Sequence, residues 1–311
     1  MNDGLRTHIE RLAGADGVVI GLAIDHRDNF IAVLRRAGRA ETDIPGLKER
    51  IVRALVPGAT ALMLDHEMGG AAIEHGAIPP GVGLIMPLEE QGYEQLGDDR
   101  TTSLMPSFSP ARAVELGASA CKVLLPYRPD RRAAADLQLA AAADAITRSH
   151  AAGLPLVLEP TAYRLEAETD DQWQRGYTEL VVRATEETAA LGPDVLKLPH
   201  PSLYRDDDEA PATESEACTR LDVATAGIPW VLLGAGVPAS VFARQIESAG
   251  AAGASGFLAG RSIWAEAVVA NETDRPAAVE TARARLREFA AIARRSSAPI
   301  QRRLEDADPA I

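Results

Sequence analysis

The chain has little cysteine, no apolar run of membrane-spanning length and no surplus of basic charge, and each lack removes a class of function. Cys121 and Cys218 are its two thiols, too few for a disulfide framework, and the N-terminus carries no charged-then-apolar signal pattern. A reduced, cytoplasmic, soluble protein is expected. A transmembrane helix needs about 20 consecutive apolar residues, and no stretch approaches that length. With 32 Lys and Arg against 45 Asp and Glu, the net charge is -13 and the pI about 5.0. Neither nucleic acid nor an anionic membrane is therefore an expected partner. Any anionic ligand has to be held by a local basic site. The 311 residues, 46% of them hydrophobic, suffice for one large core or two modest ones.

What the chain does have is a short apolar run that recurs eight times and stops each time at charge, glycine or proline. Gly17 to Ile24 ends in Asp25-His26-Arg27, Ala61 to Leu64 in Asp65-His66-Glu67, and Gly83 to Met86 in Pro87. Ala120 to Leu125 ends in Pro126-Tyr127-Arg128, and Leu154 to Leu158 in Glu159-Pro160. Asp194 to Leu198 stops at Pro199-His200-Pro201, Pro229 to Leu233 at Gly234-Ala235-Gly236, and Ser255 to Ala259 at Gly260-Arg261. Continuous apolar runs of this length suit strands buried on both faces.

Between them lie stretches rich in Ala, Glu and Arg with helical spacing, around 47–55, 110–116, 131–152, 172–191, 213–226 and 238–251. Strands alternating with helices argue for a parallel sheet, and eight such units in a chain of this size favour an α/β fold closed as a (β/α)8 TIM barrel. No linker divides the chain, so 1–311 reads as a single barrel domain with a helical tail from about residue 285 and a frayed end. The acidic segment Arg205 to Pro211 reads as a loop following the sixth strand.

Lysine inside an apolar run requires a reason, and two such lysines occur, Lys122 and Lys197. A buried ammonium loses its proton, finds a partner, or works as an amine nucleophile toward a carbonyl; alternatively the side chain reaches solvent from a strand end. The mouth of a TIM barrel is built from the C-terminal strand ends and the loops after them. Asp25, Arg27, Asp65, Lys122, Glu159, Lys197, Gly234, Gly236, Gly260 and Arg261 would converge there. In a catalytic reading the charge of Lys122 raises the neutral fraction of Lys197, and Glu159 transfers protons. In a structural reading the same groups form Lys122–Glu159 and Lys197–Asp25 salt bridges.

Gly234-Ala235-Gly236 and Gly260-Arg261 follow the last two strands, where backbone N–H groups and a guanidinium can face an anion. Residues 234–239 also match the dinucleotide pattern G-x-G-x-x-A, but no acid lies about 20 residues on, so no NAD and no other cofactor is expected. His26, His66 and His200 fall at strand ends near Asp65 and Glu67 without ligand spacing, so no metal is expected either. Trp173 and Trp230 read as packing residues; Trp264 could also wall the pocket.

The series Ala23-Ile24-Asp25-His26-Arg27, Cys121-Lys122-Val123-Leu124-Leu125, Leu158-Glu159-Pro160, Asp194-Val195-Leu196-Lys197, Pro229 to Leu233 and Gly256 to Trp264 resembles the class I tagatose-1,6-bisphosphate aldolases and the related sulfofructose-phosphate aldolases. The resemblance runs from about Gly17 to Val268. It implies a metal-independent retro-aldol enzyme in which Lys197 forms the Schiff base and Glu159 is the acid/base. Asp25 and Lys122 would orient substrate hydroxyls, and Arg261 with the loop at Gly236 would hold an anionic end. Arg27, Gly234, Ala235 and Gly260 complete the expected binding set for a sugar phosphate.

This chain has His26 where the family has Gln, Gly234 where it has Ser, and Leu198-Pro199 where it has Val-Glu. These changes leave open whether the far end of the substrate is phosphate, sulfonate or neutral. The rival readings are a metal-dependent aldolase or isomerase using His26, His66 and Asp65, and a non-catalytic sugar-phosphate-binding regulator. The sequence leaves a homo-oligomer open.

Overall fold

All eight apolar runs are strands of one closed parallel barrel in the computed structural model, which describes residues 3–39, 43–90, 92, 94–204 and 213–306. In chain order the strands are β1 (Val19–Ala23), β2 (Ala61–Met63), β3 (Gly83–Pro87), β4 (Glu94–Leu96), β5 (Asp99–Thr101), β6 (Ala120–Pro126), β7 (Leu156–Thr161), β8 (Val195–Leu198), β9 (Trp230–Leu233) and β10 (Gly256–Ala259). Around the barrel they run β1-β10-β9-β8-β7-β6-β3-β2, while β4 and β5 form a separate antiparallel ribbon between β3 and β6. The fold expected from the alternation of strands and helices is therefore the one observed.

Strand alternation divides the core in two. Inward-facing Val19, Ala61, Met63, Ile85, Ala120, Val157, Val195 and Val231 fill the barrel, and the larger cluster lies between the barrel and its helices. The inner cluster continues into Ile9 and Leu12, which belong to or follow the helix Asp3–Glu10, and into Ile300 and Leu304 of the helix Ile300–Asp306. The first and last described helices thus stop the N-terminal mouth. Glycine is required where β1 and β10 touch: a Cβ on Gly256, at φ +126°, would lie 2.0 Å from the carbonyl oxygen of Val19.

Several elements differ from expectation. The last long helix spans Arg275–Ser296, ten residues earlier than the predicted start. Pro276 lies in its first turn, and Ala282, Leu286, Phe289, Ala290 and Ala293 recur on its buried side. The expected frayed end falls on 307–311, outside the described residues, and so does the acidic loop at 205–212. Helices Asp28–Arg36, His66–Glu74 and Arg261–Val269 lie outside the helical stretches expected from the sequence. No helix among the described residues is long and apolar enough to cross a membrane. Cys121 and Cys218 are free and buried.

Candidate active site

A cavity of about 520 Å³ opens at the C-terminal mouth, and of the site residues expected from the sequence all but Asp65 line it: Asp25, Arg27, Lys122, Glu159, Lys197, Gly234, Ala235, Gly236, Gly260 and Arg261. Its floor is set by register. Lys122 on β6 lies beside Val157 on β7, which lies beside Val195 on β8. Two residues further along β7 and β8, Glu159 and Lys197 point into the same barrel interior. Lys197 Nζ lies 2.9 Å from Glu159 Oε1 and 3.8 Å from Met63 Sδ. Lys122 Nζ lies 2.9 Å from Asp25 Oδ2, 2.5 Å from Glu89 Oε1 and 3.3 Å from Glu159 Oε2. The predicted Lys122–Glu159 bridge is present. The acid on Lys197 is Glu159, not Asp25.

The electrostatics follow from this crowding. Burial disfavours charge on Lys122, but Asp25, Glu89 and Glu159 overcome it and hold its pKa well above the ordinary lysine value. Burial also opposes ionisation of Asp25, yet Lys122, His26 and Lys197 keep its carboxyl below the usual range. Glu89 behaves oppositely: burial raises its pKa against the pull of Lys122. Glu89 Oε2 is buried without a hydrogen-bond partner in the protein, while Glu159 Oε2 has the Lys122 ammonium at 3.3 Å. An unpartnered buried oxygen calls for a ligand or ordered water.

The wall at β9 and β10 is different in kind. Ala235 and Gly236 both have positive φ, 39° and 77°, so the chain turns sharply after β9. Ser262 Oγ donates to the carbonyls of Gly234, at 3.1 Å, and Val237, at 2.9 Å, and so pins the turn. The Arg261 guanidinium lies against Gly236, where a Cβ would come within 3.0 Å of it, and donates to the Ala235 carbonyl at 3.3 Å. Helix Ala239–Ala252, capped at Pro238, and helix Arg261–Val269, capped at Gly260, both begin here. Their first N–H groups have no partner within the helix and, beside the Arg261 guanidinium, make a cradle whose chemistry suits an anion.

Other residues are used differently from expectation. Arg27 lines the cavity, but its guanidinium bonds Glu67, the Glu89 carbonyl at 2.8 Å and Met105 Sδ at 3.5 Å, so it braces the β3 loop. Asp65, with no exposed surface, pairs with the equally buried Lys48 and caps helix His66–Glu74 through Met68 N. His66 stacks on Phe108 at 4.1 Å, and His200 bonds Ser248 and Cys218. His26 sits edge-on to Trp264, and burial lowers its pKa to about 4. Among the described residues no group of three His, Cys, Asp or Glu side chains is arranged to hold a metal. Trp264 is fully buried and donates to the Ala23 carbonyl at 2.8 Å, so it packs behind the pocket.

Glu89 escaped the sequence reading because the third run stops at Pro87. Its signal was an acidic pair, Glu89-Glu90, just past a strand end.

Comparison with known proteins agrees with this geometry. The family model described as DeoC/LacD family aldolase matches residues 19–266. A tagatose 1,6-diphosphate aldolase of Listeria monocytogenes serotype 4a (strain HCC23) is 30% identical over 278 residues, covering 84% of this chain and 81% of that protein. Tagatose 1,6-diphosphate aldolase 1 of Enterococcus faecalis (strain ATCC 700802 / V583) is 30% identical over 289 residues, 85% of each. Among solved structures, fructose-bisphosphate aldolase from Slackia heliotrinireducens DSM 20476 superposes with a TM-score of 0.65 at 18% identity, over 100% of this chain and 93% of that one. An archaeal fructose 1,6-bisphosphate aldolase superposes with a TM-score of 0.58 at 20% identity, over 92% and 98%. At such identities the structural likeness speaks for the barrel alone.

Proposed function

The chain belongs to the DeoC/LacD family of aldolases, and we propose that it cleaves a ketose 1-phosphate or bisphosphate through an imine on Lys197, giving dihydroxyacetone phosphate and an aldehyde. The observation that carries the reading is the buried Lys197 amine at the cavity floor, 5% exposed, with Glu159 as its 2.9 Å neighbour. The names of the curated relatives, tagatose 1,6-diphosphate aldolases, support a sugar-phosphate substrate.

In this mechanism the Lys197 amine attacks the C2 carbonyl and the carbinolamine loses water to form the protonated imine. Glu159 takes the proton of the C4 hydroxyl as the C3–C4 bond breaks. The aldehyde leaves, and the bonding pair remains as a C2–C3 enamine. Protonation at C3 and hydrolysis then restore the amine and release dihydroxyacetone phosphate. Lys122, kept protonated by three carboxylates, and Asp25 orient substrate hydroxyls, while Arg261 and the Gly234–Gly236 turn hold the 1-phosphate. Two free, buried thiols suit a reduced cytoplasmic setting.

The test is borohydride trapping with dihydroxyacetone phosphate, read by peptide mass spectrometry. An adduct on Lys197, absent from Lys197→Met, is the expected result. Turnover at the wild-type rate in folded Lys197→Met would remove the imine mechanism.

A further inference from the structure

The cavity is asymmetric across its diameter. The anion cradle stands at β9 and β10, and in the ring order β1-β10-β9-β8-β7-β6-β3-β2 the position directly across is the junction of β6 and β3. That junction carries the β4–β5 ribbon and supplies Glu89, Glu90 and Thr102 to the lining, with Thr161 beside them from β7. Glu90 is exposed at the mouth.

Cations near this wall already have partners, most of them acids. Arg27 reaches it and bonds Glu67, the Glu89 carbonyl and Met105 Sδ. Arg128, which follows β6, holds Asp130 through two nitrogens, Glu168 at 2.7 Å and the Tyr163 carbonyl at 2.9 Å. Arg131 grips Asp99 at 2.6 and 3.1 Å, and Arg100 lies over the Tyr163 ring, 5.0 Å from its centroid. Lys122 faces three carboxylates. Among the described residues, then, the wall across from the cradle offers carboxylates and hydroxyls, and no glycine turn or helix N-terminus joined to a guanidinium like the one at β9 and β10.

We infer that the substrate is a ketose carrying one phosphate, on C1, and that the aldehyde it releases is an uncharged polyhydroxylated one. The inference rests on the imine reading above and narrows its substrate class. With the C1 phosphate in the cradle and C2 at Lys197, the carbons beyond C4 extend toward Glu90, Thr102 and Thr161. Sugar hydroxyls donate to carboxylates there, whereas a second phosphate would meet the exposed Glu90 with like charge.

The experiment has two arms. Borohydride trapping with dihydroxyacetone phosphate on the full-length enzyme tests the imine itself; with no Lys197 adduct, that reading falls first. Given the adduct, condensation of dihydroxyacetone phosphate is measured with D-glyceraldehyde, L-glyceraldehyde and D-glyceraldehyde 3-phosphate. The expected kcat/KM is at least about tenfold higher for an uncharged aldehyde than for the phosphorylated one, the scale of one like-charge contact in a partly solvated site. Glu90→Lys is expected to shift that ratio about tenfold toward glyceraldehyde 3-phosphate. Preference for the phosphorylated aldehyde in the wild type, or condensation with neither aldehyde, overturns the inference. An unchanged ratio in Glu90→Lys overturns the assignment of the acidic wall as its cause.

Discussion

Glu159 bridges two lysines: its Oε1 lies 2.9 Å from Lys197 Nζ and its Oε2 3.3 Å from Lys122 Nζ. One carboxylate therefore touches the amine that would form the imine and the ammonium that would orient the hydroxyl being deprotonated. Glu159→Gln keeps the shape and removes the base. Turnover is expected to fall by about 100- to 10,000-fold, the usual worth of a positioned acid–base group, while borohydride still traps Lys197. Loss of trapping together with loss of turnover would assign Glu159 to imine formation instead of C–C cleavage.

Gly236 has φ +77° and presses on the Arg261 guanidinium. Gly236→Ala adds backbone strain and displaces that guanidinium, and left-handed strain of about 1–2 kcal/mol corresponds to about tenfold in binding. KM for the phosphorylated ketone is expected to rise by about that factor with kcat little changed. Steady-state kinetics with dihydroxyacetone phosphate as the varied substrate decides it; a change confined to kcat would take the turn out of phosphate binding.

His26 is held neutral by burial, with its pKa lowered from 6.5 to about 4. Between those values the unfolded chain carries a proton on His26 that the folded chain lacks. Stability contributed here is thus full above pH 6.5 and is lost as pH falls toward 4. About a fifth of the side chain remains exposed, which reduces the effect, so about 1–3 kcal/mol is expected across the window. Urea unfolding of the wild type and His26→Gln at pH 7 and pH 4 isolates the contribution. Parallel pH dependence in the two proteins would show that His26 titrates normally in the fold.

Lys48 and Asp65 form an ion pair with no exposed surface on either side chain, and Lys48 also donates to the His26 carbonyl at 2.9 Å. Lys48→Met strands the Asp65 carboxylate, at a cost of about 3–5 kcal/mol. Chemical denaturation should read that loss. The same variant frees the His26 carbonyl at the cavity rim, so weaker substrate binding should accompany it.

The barrel was legible because its signal is local and repeated. Eight apolar runs bounded by charge, glycine or proline are the eight barrel strands, and strand alternation alone carries Glu159 and Lys197 to the inner face. The sharp turn after β9 was legible for the same reason, since Gly234-Ala235-Gly236 and Pro238 hold turn and helix start within a few residues. Helices His66–Glu74 and Arg261–Val269 were less so: the first contains Gly69-Gly70, and both open on residues that also suit a site loop.

What sequence by itself determined is which strand ends reach the C-terminal mouth, because strand period and strand end are properties of neighbours along the chain. Which charge meets which was decided only by tertiary structure. Asp25 and Lys122 are 97 positions apart, Glu89 and Lys122 are 33 apart, and Lys48 and Asp65 are 17 apart. Arg27 seemed free to bind an anion until Glu67 and the β3 loop were brought against it. Ion pairing depends on distances that barrel closure sets, and in a low-dielectric interior a shift of a few ångströms decides whether a lysine is a nucleophile's neighbour or a structural counter-ion.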